Sequence, residues 1–171
     1  MSPISQDDEY DAWFRACFPR AVAVARRVAG SGGAEDAALE AFAAAYARWG
    51  RVSKLHWRDG WVLRTTFRQA LAQARRLHEL PNVRPGEQIA RSMEDEILVR
   101  RLMVEALRRL PRRQREAVAL RYLVDMPERE VADALGVSPG AVKVHIHRGI
   151  AALRSSLGPD YLKEEPDAST P

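Results

Sequence analysis

The stretch that most constrains the fold lies between residues 127 and 157, where two helical patterns are separated by a glycine. Pro127 suits the first turn of a helix, because its missing N–H would have no partner there. Gly136 is typical of a helix end, since glycine adopts a left-handed backbone without strain. Ser138 followed by Pro139 predicts a second helix with a side-chain cap and a proline in its first turn. The stretch therefore predicts two helices joined by a tight turn.

The second of these helices has two different sides. Its apolar residues follow steps of three and four, which is the spacing of one face of an α-helix; they are Val142, Ile146, Ile150, Leu153 and Leu157. Small residues and cations occupy the other side, as suits a helix that docks on one face and meets phosphates and base edges with the other. An ordinary amphipathic hairpin with a solvated basic face stays open as an alternative.

The composition favours a polyanion as the partner. Lys and Arg number 27 against 23 acidic residues, for a formal net charge of +4. The positive charge is concentrated in two blocks, 1–79 and 97–157, and the segment between them is net acidic. Two basic bodies of this kind predict contact with nucleic acid.

Several classes of protein are excluded at this stage. The one cysteine, Cys17, cannot form a disulfide within the chain and lies in an apolar run, so we expect a buried thiol in a reducing compartment. The first residues do not form a signal peptide, and no apolar run approaches the roughly 18 residues that cross a bilayer. The sequence predicts a soluble cytoplasmic protein without a membrane partner.

Helical patterns fill the rest of the chain, and no stretch alternates as a strand would, so the predicted fold class is all-α. We expect Ser5 to cap the first helix and Pro19 to break or restart it. Glycines at 30, 32 and 33 mark a loop. The next helix, about 34–49, has a predicted buried stripe of Ala38, Phe42, Ala45, Tyr46 and Trp49.

The second half is also helical. Two prolines, a glycine and net negative charge predict a linker at 79–95 rather than a packed helix, and helix returns from Glu94. The first of the next two helices alternates apolar and charged faces, with Ile97, Leu98, Arg101, Leu102, Glu105, Ala106 and Leu110. In the second, the residues available for packing are Val118, Leu120, Tyr122 and Leu123. The acidic residues after Gly158 predict a disordered tail.

Residues 50–76 combine aromatic side chains with arginines. Such a surface binds single-stranded DNA, because rings stack on unpaired bases while guanidinium groups follow the phosphates. Trp57 and Trp61 are equally consistent with core anchors, in which case the arginines serve only solubility. Residues 50–59 are predicted to be a loop, with a helix over 61–78.

A dense set of short motifs lies within residues 107–154: Leu110–Pro111, Arg115–Glu116, Leu120–Arg121–Tyr122, Leu135–Gly136–Val137–Ser138 and Ala152–Leu153–Arg154. With these motifs the chain resembles the promoter-binding region 4 of bacterial extracytoplasmic-function (ECF) sigma factors of the sigma-70 family. Residues 19–30, 34–49 and 61–76 follow the order and spacing of sigma region 2. The resemblance implies a region 2 helical bundle at 6–78, a linker at 79–95, a region 4 helix–turn–helix domain at 96–157 and an acidic tail at 158–171.

The resemblance also implies partners and roles. The partners are core RNA polymerase, through its β′ clamp helices and β flap, promoter DNA and, as in many relatives, an anti-sigma factor. The implied polymerase-binding residues are Asp36, Leu39 and Glu40. The implied contacts to the promoter −35 duplex are Ser138, Gly140, Lys143, Val144, His147 and Arg148. The implied contacts to the −10 element, which relatives open, are Lys54, Trp57, Arg58, Trp61, Arg64, Arg68 and Arg75.

Three positions depart from the family pattern. The family often has glutamine at the position of Leu39, usually has asparagine at that of Arg68 and often has Ser-Arg in place of Val144–His145. The first two departures favour an alternative, a sigma-like DNA-binding regulator that does not itself melt promoters. A third interpretation is an interaction protein whose amphipathic helices bind another helical partner.

The sequence offers no support for an enzyme. No nucleophile and base are placed for catalysis, and the Ser-Gly-Gly sequence at 31–33 lacks the lysine of a phosphate-binding loop. His145 and His147 are two residues apart on a helix, which points them to different sides and is unsuited to a shared metal. We therefore expect no catalytic activity, no metal and no cofactor.

Overall fold

The computed structural model describes residues 6–78 and 90–158, and this part of the chain is helical without strands. Its helices are α1 (Gln6–Ala29), α2 (Ala34–Tyr46), α3 (Trp49–Val52), α4 (Arg58–His78), α5 (Ala90–Arg109), α6 (Arg112–Tyr122), α7 (Glu128–Leu135) and α8 (Pro139–Leu157). The predicted all-α class is confirmed. The predicted cap Ser5 and the predicted tail after Gly158 lie outside the described residues.

Helix α1 continues through Pro19, so the prediction of a break there was wrong. A proline inside a helix removes one backbone hydrogen bond and crowds the preceding turn. Buried residues flank Pro19 on both sides, among them Trp13, Cys17 and Ala21. The packing of this apolar face holds α1 together as one helix despite the lost bond. The predicted glycine loop follows at residues 30–33.

The helix predicted for 34–49 is divided into α2 and the short α3. Most of its predicted stripe is buried, but Tyr46 is 51% exposed, which corrects that prediction. The Tyr46 hydroxyl donates to Asp7 Oδ1 at 3.0 Å, and its ring meets Tyr10 edge-on at 4.9 Å between centroids. Its polar end therefore stays at the surface of the helix group.

Helix α5 begins at Ala90, so residues 90–95 of the predicted linker are helical; residues 79–89 lie outside the described part. The sequence from Ala90 to Arg109 contains no proline or glycine and is rich in good helix formers, which explains the earlier start. Tyr122 was expected to pack but is 57% exposed, which corrects that prediction. Ile97, Leu98 and Leu102 of α5 are exposed as well. The buried face of α5 consists of Val104, Ala106 and Leu107.

The two helices that follow one another at 127–157 have the predicted turn. Gly136 ends α7 with φ of 64°, and Ser138 Oγ accepts from the Ala141 N–H at 3.2 Å to begin α8. Gly149 then allows α8 to cross α6 closely, because a Cβ there would lie 2.6 Å from Val118 Cγ2. This crossing fixes which side of α8 remains outside.

Helices α1–α4 pack mainly on one another, and so do α5–α8. The two groups also meet, mostly through α4, which contacts α6 and α7. One apolar cluster is continuous across the meeting, with Phe42 and Phe67 on one side and Leu120, Met126 and Val131 on the other. Helix α4 of the first group therefore lies at the contact, and α6 and α7 of the second group pack against it.

Candidate DNA-binding and polymerase-binding surfaces

The outer face of α8 presents the whole set of residues predicted for the −35 duplex. All six are exposed: Ser138, Gly140, Lys143, Val144, His147 and Arg148. The opposite side is anchored by Val142, Ile146 and Leu153, which are buried. A rigid, docked helix with small and cationic residues outward has the form of a helix that enters a major groove.

Two details of this face bear on its chemistry. Lys143 Nζ lies 3.9 Å from Glu128 Oε2, a long ion pair that competes only weakly with a phosphate. Val144 is 45% exposed and offers a branched methyl surface of the kind that contacts thymine. His145 faces away, with its Nδ1 buried and without a hydrogen-bond partner among the described residues. The family departure at Val144–His145 therefore changes one outward side chain.

Helix α4 differs from α8, because a central cation of the predicted −10 surface points inward. Arg64 Nη2 donates to Glu116 Oε2 at 2.7 Å, and Nη1 donates to the Ala134 carbonyl at 2.7 Å. The Arg64 side chain is 19% exposed and Glu116 is 2% exposed. Both acceptors lie in the second helix group.

The carboxylate of Glu116 is the buried centre of this contact. Its other oxygen accepts from Arg112 Nε at 3.1 Å. Burial by itself raises the pKa of Glu116, but the charge and hydrogen bond of Arg64, together with those of Arg112, outweigh it and leave the pKa lowered. Glu116 is therefore ionised at neutral pH and paired on both sides.

The other members of the predicted −10 set are distributed between surface and core. Trp57 and Trp61 are partly buried and pack against the apolar cluster. Arg58 is held by Glu9 at 3.0 Å and lies 5.9 Å from the ring centre of Trp49. The cations that remain exposed are Lys54, Arg68 and Arg75.

The predicted polymerase-binding residues line one concavity beside the glycine loop. Asp36, Leu39 and Glu40 are exposed on consecutive turns of α2. They border a cavity of about 450 Å³ that also takes Gln73 and Arg76 from α4. The acidic pair and the apolar Leu39 form a surface suited to a partner helix that carries both a cation and an apolar side chain.

Comparison with known proteins identifies the family. The model of sigma-70 region 4 matches residues 100–153. The RNA polymerase sigma-E factor of Streptomyces antibioticus is 32% identical over 126 residues, covering 72% of this chain and 70% of the relative. The chain belongs to the ECF sigma factors of the sigma-70 family. The sigma-E factor of Streptomyces coelicolor is also 32% identical over 126 residues, covering 72% of this sigma factor and 71% of the relative.

A solved structure shares the fold of this sigma factor. The sigma factor RpoE in complex with the anti-sigma factor NepR, from Bartonella quintana, superposes with a TM-score of 0.53 over 89% of this chain and 98% of that chain. The two sequences are 18% identical, so the likeness concerns the two-group helical architecture.

Some residues of the sigma factor's surfaces were not found from its sequence. Gln73 joins the acidic concavity only because α4 crosses α2, and Glu116 meets Arg64 across 52 positions of sequence. A local signal existed for Glu116 alone: it lies four residues after Arg112, the spacing of a helical ion pair.

The described part of the sigma factor has neither a membrane-spanning helix nor a metal-binding cluster. Residues 6–78 and 90–158 contain no helix long and apolar enough to span a membrane. Within the same ranges no three His, Cys, Asp or Glu side chains come together in a way that could hold a metal ion.

Proposed function

We propose that this sigma factor binds core RNA polymerase and directs it to promoters by reading the −35 duplex with α8 and opening the −10 element with residues 50–76. The polymerase supplies the chemistry, so the chain needs no catalytic group or cofactor of its own. Residues 6–78 act as the region 2 domain and residues 96–157 as the region 4 domain, which also contacts the β flap.

The observation that carries the proposal is the outer face of α8. Six residues that the family resemblance assigns to DNA are exposed together on it, while a buried face holds the helix in place. Phosphates accept from Lys143 and Arg148, Val144 contacts a thymine methyl, and His147 reaches a base edge. The phosphate contacts position the helix on the duplex, and the base contacts make binding depend on the DNA sequence.

The acidic concavity on α2 supports the polymerase contact. Asp36 and Glu40 are one turn apart and exposed, and Leu39 lies between them. Opposite charges across such an interface steer association and fix its register. The proposed partner is the pair of β′ clamp helices, with cations facing the two carboxylates.

Reconstitution with cognate core polymerase on a genomic fragment library tests the proposal. We expect the protein to co-purify with core and to start transcription at a discrete set of sites. The Asp36→Asn/Glu40→Gln variant should lose core binding about tenfold or more, as expected when two interfacial charges are removed. Glu35→Gln removes a neighbouring exposed acid of α2 and serves as the matched control. A wild-type protein that neither binds core nor directs initiation would overturn the proposal.

The inward position of Arg64 favours a second candidate, a sigma-like regulator that binds DNA without melting it. A cation engaged by Glu116 and the Ala134 carbonyl is withdrawn from the −10 strand. Permanganate footprinting of the core–sigma–promoter complex separates the two functions, because it reports unpaired thymines. Reactive thymines at −10 support the sigma function, and duplex binding without them supports the regulator.

A further inference from the structure

The concavity beside the glycine loop has two walls of different charge. The α2 wall carries the exposed carboxylates of Asp36 and Glu40, with Leu39 between them. The α4 wall carries the amide of Gln73 and the guanidinium of Arg76. A cation and two acids therefore line the same space of about 450 Å³. The proposed polymerase contact accounts for the α2 wall alone.

Arg76 supplies a free cation to the concavity. Its side chain is exposed, and no hydrogen bond or ion pair joins it to another residue of 6–78 or 90–158. Arg75, which the family resemblance assigns to the −10 element, points about 100° away around the helix, as consecutive helical residues do. The guanidinium of Arg76 is therefore available to an anion that a partner brings, and its planar fork suits a carboxylate.

The amide of Gln73 is a second, independent sign of a missing partner. Its Oε1 is buried and has no hydrogen-bond partner among the described residues. The oxygen lies against the glycine loop, because a Cβ on Gly33 would come 2.6 Å from it. A buried amide oxygen without a donor is costly. Turning toward a donor on a partner breaks no existing bond of that oxygen, so Gln73 is suited to accept from whatever fills the concavity.

Charge complementarity specifies the partner that fits both walls. A segment that carries only cations satisfies the two carboxylates but brings like charge against Arg76. A segment with a cation on one side and a carboxylate on the other pairs with both walls. An apolar side chain between them covers Leu39, which is 48% exposed. One amphipathic helix of mixed charge presents all three groups together.

We propose that the polymerase-binding surface of this sigma factor includes both walls, and that Gln73 and Arg76 of α4 determine its specificity. The partner is a helix of mixed charge: its cation pairs with Asp36 and Glu40, its carboxylate pairs with Arg76, and a side-chain donor reaches Gln73. The inference rests on the proposed function, because it takes this helix to belong to core RNA polymerase. It adds an acid and a hydrogen-bond donor to what the polymerase must present.

The sign of one charge reversal tests the α4 wall. Arg76→Glu replaces an attraction by a repulsion, so the affinity for core polymerase should fall about tenfold or more. If the partner presented only cations to the concavity, the added carboxylate would raise the affinity instead. Titration of the full-length chain into core polymerase without DNA measures the change and keeps DNA contacts out of the result.

Arg26→Glu on α1 is the matched control for this reversal. It makes the same change of charge at an exposed arginine that does not line the concavity. Core binding by this variant should equal that of the wild type. A loss as large as that of Arg76→Glu would mean that the total charge of the chain, and not the α4 wall, sets the affinity.

Gln73→Met tests the amide at nearly constant side-chain length. Removal of the acceptor should weaken core binding about threefold to fivefold. The melting temperature should not fall, because the lost carbonyl has no partner in the described structure. This readout separates a contact with the polymerase from a structural role. Gln69→Met makes the same substitution one turn earlier on α4, outside the concavity, and is the matched control.

The outcomes distinguish failure of the α4 wall from failure of the proposed function. Loss of affinity in Arg76→Glu and Gln73→Met, but not in their controls, supports the two-walled surface. Wild-type or higher affinity of Arg76→Glu, while Asp36→Asn/Glu40→Gln still loses core binding, would overturn the α4 wall and leave the proposed function standing. A wild-type chain that does not bind core at all would overturn both.

Discussion

The two helices that this sigma factor is proposed to place on DNA, α4 and α8, present their cations in opposite ways. Helix α8 is docked on one side, and its six predicted contact residues are exposed. Helix α4 is contacted by α1, α2, α6 and α7, and Arg64 in its middle points into the molecule. The proposed −35 surface is therefore exposed in this arrangement, whereas the proposed −10 surface has one of its cations covered by the second helix group.

The largest expected effect concerns the buried ion pair of α4, between Arg64 and Glu116. Glu116→Ala leaves Arg64 and Arg112 without their carboxylate, and loss of one partner of a largely buried pair should lower the free energy of unfolding by about 3 kcal/mol. Chemical denaturation measures the change. Glu105→Ala is the control, since Glu105 is 52% exposed in its pairs with Arg108 and Arg109 and should cost at most about 0.5 kcal/mol. Equal losses in both variants would mean that Arg64 is not held inside.

Two glycines of α8 compare its packed side, at Gly149, with its exposed side, at Gly140. Gly149→Ala places a Cβ 2.6 Å from Val118 Cγ2, and the overpacking should lower the free energy of unfolding by about 1–2 kcal/mol even after the helix-propensity gain of alanine. Gly140→Ala meets only Ser138 Oγ at 3.9 Å and should be neutral or slightly stabilising. Thermal unfolding of the two variants reports the contrast, and similar melting temperatures would argue against the close crossing of α6 and α8.

Helix α8 was easier to predict from the sequence than α4, because α8 is packed on one side and α4 is contacted by both helix groups. The steps of three and four in α8 map directly onto burial, because only one of its sides is packed, and the glycine and serine at its turn behaved as predicted. The same reasoning failed for α4, whose partners come from both helix groups. Nothing in the local pattern shows that Arg64 meets Glu116, 52 positions away, or that Ile97 and Leu98 of α5 remain exposed. The periodicity of the sequence predicts that a helix has an apolar face. Which faces of the helix are buried depends on tertiary contacts with residues distant in the sequence.

The cations of α8 should account for part of its affinity for the −35 duplex. Lys143→Ala or Arg148→Ala should weaken binding and, for a phosphate contact, reduce the slope of log affinity against log salt by about 0.9. Arg109→Ala on α5 removes a cation that is 70% exposed outside this face and is the matched control. Affinity measured across a salt series decides the assignment. A variant with wild-type affinity and slope would remove that residue from the interface.

The smallest expected effect is a pH dependence of the folding stability, which arises from the buried carboxylate of Glu116 and not from α8. The pKa of Glu116 is lowered from its ordinary value of 4.5 by Arg64 and Arg112, so its stabilisation of the fold is complete above that value and disappears as pH falls through the folded-state pKa. Unfolding by urea from neutral pH to about pH 3 should therefore show wild type and Glu116→Gln converging in stability as the solution becomes acid. Stability curves that run parallel throughout would show that the ionised Glu116 carboxylate does not stabilise the fold through Arg64 and Arg112.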